Sequence, residues 1–371
     1  MRPLFCLALL LAACTAKEED SGTDTTDSGP TDTDDSGDTD EVVVDDCDEF
    51  ALNGSLAFAA DALVPEGEIT MALFPMNFDS ENAFDVSTMW ERTAITGVAG
   101  ESVSFSWCLG TPPEEHYQAD DGGGDTDTDT DTVVAEAAPY LIGGMVDSNG
   151  DEAFTPGEAL VHGEYAFLLH VRGAVPGDFA EYGVQLGWNR LVVTFPDGEI
   201  VNTALSDGDE LSLNANLLLN DPGPLPGVLE SSHEGAVRAG LYLVEGNEEA
   251  EDNLLGESVA VDATEAGAEF LLATAPPADH LVDSGGLRVA MYAAIAWDDA
   301  APDQTYTEEG DGPLLAASVF SQSPVYAIYL EPIDFSSVYY VSAFGRAGWG
   351  LFTDQYVTVP WDEGVSLHSP G

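Results

Sequence analysis

The sequence is short of basic residues. It contains 8 lysines and arginines against 69 aspartates and glutamates, for a formal net charge of -61. Segments 17–46 and 120–132 are rich in aspartate, but most of the acidic residues lie elsewhere, and after residue 46 they are opposed by six arginines and no lysine. Such a surface repels nucleic acid and anionic membranes. It suits divalent cations, basic partners, or a high external salt concentration that screens self-repulsion.

Apolar runs of transmembrane length are also absent from the sequence. Residues 1–14, MRPLFCLALLLAAC, combine one arginine, an apolar run and small residues, which is typical of a secretory signal and too short for a stop-transfer helix. The tetrad Leu11-Ala12-Ala13-Cys14 resembles the lipobox of bacterial lipoproteins. The resemblance implies a signal peptide of residues 1–13, a lipid on Cys14 as the only membrane contact, and a location at the outer membrane or cell surface. The alternative is a plain signal with a chance cysteine.

Cysteine is scarce, with 4 residues in the chain. Cys6 leaves with the signal and Cys14 carries the lipid, so Cys47 and Cys108 remain in an exported, oxidising compartment. We expect these two to form a disulfide. The alternative is a pair of separate buried thiols.

Composition and repetition divide the chain into a tether and two modules. Residues 14–46 contain little that a fold could bury, which predicts a lipidated and disordered tether. Residues 47–222 and 235–371 share several motifs in the same order, among them Gly-Glu-Ser-Val, Pro-Pro-x-x-His and an aspartate-rich stretch. We therefore predict tandem modules, the first with a disordered insertion at 120–132, joined by a linker at 223–234.

Short alternating runs of Val, Ile, Leu, Tyr and Phe between turn residues predict β-strands, most clearly ITMALFP, SVSFSWCL, YAFLLHVRG and NRLVVTF. Helical periodicity is weak, and residues 159–170 favour a strand because of Gly163 and their aromatic content. We predict an all-β fold of two tandem Ig-like or prealbumin-like β-sandwich modules. The order of segments is similar to small bacterial sandwich modules of the prealbumin-like or carboxypeptidase-regulatory-like kind, a resemblance that implies fold and not activity.

One motif has metal-ligand spacing. In VDSNGDEAFTPGE, residues 146–158, the calcium-ligand positions of a twelve-residue EF-hand-type loop fall on Asp147, Asn149, Asp151, the carbonyl of Ala153, Thr155 and Glu158. Glu152 departs from the pattern, because the sixth position of such loops is a glycine with positive φ. We predict a Ca²⁺ site in a loop that joins two strands. The alternative is an acidic turn without an ion.

The second module has an equivalent segment that matches less well. Asp299 and Asp303 align with the first and fifth positions, but Ala301 falls at the third and Gly310 at the twelfth, where a carboxylate is needed. We expect a relic or a weak site there.

Catalytic signatures are scarce. The chain lacks the G-x-S-x-G and H-E-x-x-H motifs and the phosphate-binding glycine loop. The DSGG at 283–286 is similar to the nucleophile region of trypsin-like proteases, but no partner histidine motif precedes it and a turn explains it better. His116 and His280 share one repeat position, which favours a common structural role over a duplicated active site. Trp188 and Trp349 share another, and we interpret them as anchors of the core or of a sheet edge rather than as platforms for sugar rings. We predict no enzymatic activity.

Two classes of function remain open. We favour a non-enzymatic, lipid-anchored protein of the cell envelope, whose calcium-stiffened sandwich modules bind or adhere to a protein or glycan. The alternative is a carbohydrate-binding accessory protein, or an envelope hydrolase with an unrecognised site.

Overall fold

The computed structural model describes residues 47, 49–76, 89–119, 135–151, 154–155, 158–175, 177–194, 199–247, 253–284, 286–300, 302–337, 341, 344–355 and 357–370. The predicted signal, Cys14, the tether, the insertion at 120–132 and Ala153 lie outside the described residues.

The described residues form β-strands, together with two single-turn α-helices and a few 3-10 turns. The first half contains β1 (Phe50–Ala57), β2 (Ile69–Pro75), β3 (Trp90–Ile95), β4 (Ser102–Leu109), β5 (Gln118–Ala119), β6 (Ala135–Val146), β7 (Ala159–Gly173), α1 (Gly177–Ala180), β8 (Gly187–Thr194), β9 (Glu199–Ala204) and β10 (Glu210–Asn214). The second half contains β11 (Leu225–Leu229), β12 (Val237–Glu245), β13 (Val259–Val261), β14 (Ala268–Leu272), β15 (Val282–Ser284), β16 (Leu287–Asp298), α2 (Glu308–Asp311), β17 (Ala316–Ala317), β18 (Val325–Pro332), β19 (Gly348–Thr353), β20 (Thr358–Val359) and β21 (Val365–Leu367). Across these described ranges, no helix has the length and apolar character needed to cross a membrane.

The first half is a sandwich of two sheets. A three-stranded sheet has the order β10-β1-β4, in which β1 runs parallel to β10 and antiparallel to β4. A seven-stranded sheet has the order β3-β2-β6-β7-β8-β9, with β5 paired to β6. Side chains from both sheets form one core, which includes Leu52, Phe105, Met71, Tyr140 and Trp188.

The second half has the same arrangement. Its three-stranded sheet has the order β14-β11-β21, with β11 parallel to β21 and antiparallel to β14. Its larger sheet has the order β13-β12-β16-β18-β19-β20, with β15 and β17 paired to β16. The prediction of an all-β, sandwich-like fold is therefore confirmed, and residues 159–170 lie in a strand, as their composition indicated.

One packing device recurs in both halves. Gly54 of β1 lies opposite Phe105 of β4, and Gly227 of β11 lies opposite Phe270 of β14. A Cβ added to either glycine would collide with the facing phenyl ring. Each first strand therefore uses a glycine because an aromatic ring of the neighbouring strand lies directly over its backbone.

The predicted linker at 223–234 needs correction, because residues 225–229 form the strand β11. Leu225 and Leu229 are buried in the core of the second half. Proline and glycine in this stretch suggested a joint, but Gly227 is required by the ring above it and Pro226 lies in the strand. The chain therefore enters the second sandwich earlier than its composition indicated.

The two halves share a third apolar cluster. From the first half it contains Phe74, Leu141 and Leu160, and from the second Phe335 and Phe352, all of them buried. The Phe335 ring lies 4.9 Å from that of Phe74, measured between centroids. No motif indicated this contact: β2 and β6 are buried at nearly every position, so both of their faces are covered, but this does not show that Phe335, in a 3-10 turn, covers one of them.

Polar contacts reinforce this junction. The buried Asn220 donates its amide to the carbonyl of Trp349 (2.8 Å) and accepts the N–H of the same residue (2.6 Å). Arg346 forms an ion pair of 2.6 Å with Asp61. Because a buried amide that loses its partners is costly, Asn220 fixes the position of β19 against the end of the first half.

A disulfide joins Cys47 to Cys108, as predicted. Cys108 lies in β4, directly opposite Ala51 of β1. The bond therefore fixes the chain just before β1 to the strand beside it.

Candidate metal-binding loops

The predicted calcium loop of the first half, here called loop one (residues 147–158), joins β6 to β7. Its first turn is closed by its own side chains. Asp147 Oδ1 accepts the backbone N–H of Gly150 (2.7 Å), and Asn149 Oδ1 accepts that of Asp151 (2.7 Å). Gly150 has a φ of 73°, a left-handed conformation that glycine adopts without steric cost. The oxygen-bearing residues of positions one, three and five therefore lie within one tight turn.

Glu158 returns to this turn from the far end of loop one. Its Oε1 accepts the backbone N–H of Ser148 (2.9 Å), and its Oε2 accepts that of Thr155 (2.9 Å). Thr155 Oγ1 in turn donates to Asp151 Oδ2 (3.3 Å). The structure thus brings together five of the six predicted ligand residues, and only Ala153 lies outside the described residues.

The equivalent loop of the second half, here called loop two (residues 299–311), follows β16. One carboxylate oxygen from each of Asp299, Asp303 and Asp311 lies within 4.8 Å of the others, a spacing that could hold a metal ion. Asp299 and Asp311 are 9% and 8% exposed, so two of the three carboxylates are largely withdrawn from solvent. Gln304, at the sixth position, has a φ of 67°, which is the conformation that this position requires in EF-hand-type loops.

The expectation that loop two lacks its closing carboxylate was wrong. Gly310 does fall at position twelve by counting, but Asp311 occupies the structural place of Glu158. Asp311 Oδ2 accepts the backbone N–H of Thr307 (2.9 Å), as Glu158 Oε2 accepts that of Thr155. Loop two is one residue longer because residues 308–311 form the turn α2. A sequence alignment anchored on the two threonines, with one gap, would have found it.

The two loops differ in what their aromatic residue contacts. Phe154 of loop one packs against Phe335 of the second half, with ring centroids 5.0 Å apart. Tyr306 of loop two remains within its own half, where its N–H donates to the hydroxyl of Tyr242 (2.8 Å) and its ring lies 6.1 Å from that of Trp297. Loop one is therefore part of the junction between the halves, whereas these contacts of Tyr306 in loop two lie within the second half.

A groove of about 630 Å³ lies beside loop one. Its walls come from both halves and are mostly apolar, with Leu63 and Leu160 on one side and Ile333 on the other. Glu158 also lines it, together with Arg288, which is held by Glu331 at 2.6 Å. Clefts between modules are common places for small ligands.

The histidines that share a repeat position have the same partner in both halves. His116 Nδ1 lies 2.8 Å from the hydroxyl of Tyr140, and His280 Nδ1 lies 2.8 Å from that of Tyr292. Burial raises the pKa of both tyrosines and lowers that of His116. Each pair therefore fixes a 3-10 turn onto the central strand of its large sheet, in agreement with the structural role expected for these histidines.

The paired tryptophans are part of the core. Trp188 and Trp349 are 6% and 3% exposed, so neither can serve as a platform for a sugar ring. Trp90 extends the aromatic cluster of the first half, stacked 4.8 Å from Tyr140 and 6.1 Å from Trp188. The interpretation of Trp188 and Trp349 as core anchors is confirmed.

An ionic cluster at the edge of the first half was not foreseen. The guanidinium of Arg172 lies 3.7 Å above the ring of Tyr117 and bonds to Glu136 at 2.6 Å. It also bonds to Glu114, and this contact lowers the pKa of that carboxyl group. Tyr117 in turn lies 2.8 Å from His170 Nδ1. Glu114 and Tyr117 belong to a 3-10 turn and its end, Glu136 lies in β6, and Arg172 and His170 lie in β7, so no linear motif could have indicated the cluster.

The protease-like DSGG stretch is a turn. Residues 282–284 pair with 287–289 in the hairpin of β15 and β16, and Gly286 has a φ of 82°. Glycine is required here by the backbone, which explains the motif without a nucleophile.

In comparisons with known proteins, no family model, no curated protein and no solved structure matches the chain.

Proposed function

We propose that this chain is an exported, lipid-anchored and non-enzymatic protein of the cell envelope, in which loop one and loop two each bind Ca²⁺ and stiffen a pair of tandem sandwich modules. The proposal assigns the exposed faces of these modules to binding or adhesion, with a protein or a glycan as ligand. The common strand order of the two halves and the loop at the same place in each support a tandem origin.

The observation that carries the proposal is the geometry of loop two. Calcium–oxygen distances are about 2.3–2.6 Å, so two oxygens bound to one ion lie no more than about 5 Å apart. The carboxylate oxygens of Asp299, Asp303 and Asp311 meet this limit at 4.8 Å. Hard oxygens without histidine or cysteine favour Ca²⁺ over zinc or copper. Loop one has the same Thr N–H to carboxylate contact and a ligand series that matches the EF-hand spacing.

Calcium should raise the thermal stability of the protein more than magnesium or salt does. Binding to the folded state alone contributes about 2.7 kcal/mol at one hundred times the dissociation constant, or about 5 to 10 °C in melting temperature. We expect Glu158→Gln and Asp303→Asn each to remove part of the calcium-specific shift, and the double variant to remove all of it. Melting curves in calcium, magnesium and matched sodium chloride measure this.

Asp262→Asn is the matched control, since Asp262 is an exposed aspartate that closes another turn through Thr264. This variant should keep the full calcium response. Equal responses of the wild type to calcium, magnesium and sodium chloride would show that the two loops are only acidic turns.

The lipid anchor can be tested separately. Cys14→Ala should move the protein from the detergent phase to the aqueous phase in a phase-partition assay on expressed cells, because no other cysteine stands at the predicted cleavage point. Cys6→Ala is the control, since Cys6 lies within the predicted signal, and it should partition as the wild type does. If Cys14→Ala remained in the detergent phase, the lipoprotein assignment would be wrong.

A further inference from the structure

The turn at Asn149-Gly150 in loop one places an amide electrophile next to a backbone nucleophile. Asn149 is exposed, and the residue after it is a glycine, whose backbone nitrogen no Cβ shields. In such a dipeptide the backbone nitrogen can attack the side-chain carbonyl carbon to form a five-membered imide. The hydrogen bonds around this turn bear directly on each part of that reaction.

Three hydrogen bonds hold groups of this turn at the atoms that take part in such an acyl transfer. The nucleophile, the N–H of Gly150, donates to Asp147 Oδ1 at 2.7 Å. The carbonyl oxygen of the Asn149 amide accepts the N–H of Asp151 at 2.7 Å. The departing group, Asn149 Nδ2, donates to Asp151 Oδ2 at 3.1 Å. A base, an oxyanion donor and a leaving-group contact therefore surround one amide.

We propose that loop one modifies itself at Asn149, with Asp147 as the general base. Asp147 Oδ1 takes the proton of the Gly150 nitrogen, which forms a bond to Asn149 Cγ. The negative charge that develops on Asn149 Oδ1 is stabilised by the N–H of Asp151. The Cγ–Nδ2 bond then breaks, and Nδ2 leaves as ammonia after it takes up a proton from solvent, to which Asp147 gives up the proton that it received. Water opens the imide to an aspartate or to its backbone-shifted isomer.

Each contact contributes to rate in a known way. A positioned base accelerates proton transfer by about a hundredfold or more in enzymes, and a fixed oxyanion donor has an effect of similar size. Nucleophile and electrophile are held in one turn, which removes part of the entropic cost of bringing them together. The exposed position of the turn admits the water that opens the imide.

The modification would change the chemistry of loop one. An aspartate at residue 149 gives the series Asp-x-Asp-x-Asp, which EF-hand-type loops use at their first five positions. The backbone-shifted isomer instead adds a bond to the main chain and disrupts the turn. Loop two has no corresponding amide, because Ala301 occupies the aligned position.

The chain contains its own control. Asn53-Gly54 is a second asparagine–glycine pair, but it lies in β1, where Gly54 is paired with Phe105 on one side and Leu211 on the other. Rotation of the backbone toward the side chain is blocked by these two ladders. The same dipeptide is therefore held inactive in one place and positioned for reaction in the other.

The test is to incubate the purified protein, folded or unfolded in urea, in mildly alkaline buffer with EDTA, and to follow both sites by mass spectrometry of peptic peptides. Conversion adds about one mass unit, and more in heavy-oxygen water, because the new carboxylate oxygen comes from solvent. EDTA makes the outcome independent of calcium binding.

We expect Asn149 to convert about tenfold or more faster in the folded protein than in urea, and Asp147→Asn to reduce the folded rate to that of the unfolded chain. Asn53 should behave in the opposite way and react only in urea. The proposal is overturned if folded Asn149 converts no faster than the unfolded chain, a comparison that needs no variant, or if Asp147→Asn converts as fast as the wild type.

Discussion

Phe335→Ala should lower the free energy of unfolding by about 3–5 kcal/mol, because it removes a fully buried ring and leaves a cavity that rigid neighbours cannot fill. The ring is 0% exposed and lies between Phe74 and Phe154 of the other half, at centroid distances of 4.9 and 5.0 Å. Both contacts cross the junction. The loss should therefore weaken the coupling between the halves as well as the second sandwich itself.

Urea denaturation followed by tryptophan fluorescence measures this effect, since tryptophans lie in both cores. The wild type should unfold in one transition, and Phe335→Ala should separate the transitions of the two halves. Phe320→Ala is the control, because Phe320 is 39% exposed and its removal should cost less than about 1 kcal/mol. Similar losses in the two variants would mean that the junction contributes little to stability.

Because loop one contacts the junction, the two metal loops should stabilise different parts of the protein. Loop one and loop two have the same closing contact, but Phe154 reaches the other half while Tyr306 remains in its own. An ion in loop one would therefore stiffen the connection between the sandwiches, whereas an ion in loop two would stiffen one sandwich alone. The stability loss caused by a variant of loop one should therefore change more in the Phe335→Ala background than the loss caused by a variant of loop two, because residues in contact rarely contribute independently to stability.

The strands could be predicted from the sequence because alternation is a local property. Residues 102–109 form β4 as expected, with alternate side chains buried, and residues 69–75 form β2, a short apolar run that is buried on both faces. At 159–170 the glycine and the aromatic residues favoured a strand over a helix, and the segment lies in β7. Loop one could be predicted for a related reason, because its ligand residues all lie within one short stretch of chain.

What could not be predicted depends on contacts between distant segments. The prolines and glycines of residues 221–227 suggested a semi-rigid joint, and the position of Phe270 is what explains Gly227. Asp311 was missed because an added helical turn shifted the register by one residue. The junction around Phe335 and the cluster around Arg172 each bring a 3-10 turn onto strands that are not adjacent to it in sequence, and no periodicity indicates which strands those are.

Removal of the disulfide is the other change with a large expected effect. Cys47 and Cys108 are separated by 61 positions, and opening a loop of that size should cost about 4 kcal/mol in the chain-entropy model. Labelling of the unreduced protein should find no free thiol at either residue.

The position of the bond explains why the first half needs it. β1 is the central strand of its three-stranded sheet, and the disulfide fixes the chain just before its start, beside the predicted tether. The corresponding strand β11 follows Asn220, which the two hydrogen bonds to Trp349 already hold in place. In the second half, the preceding sandwich therefore provides the constraint that the disulfide provides in the first.

The Cys47→Ser/Cys108→Ser double variant should consequently be destabilised by about 4 kcal/mol, with the loss in the transition of the first half. Reducing agent should lower the stability of the wild type to that of the double variant and leave the variant unchanged, which separates the cross-link from any effect of the serines. If the reduced wild type were as stable as the oxidised protein, the disulfide would contribute nothing to the stability of the first half. Pairing of β1 with β4 and β10 would then be sufficient to hold that strand.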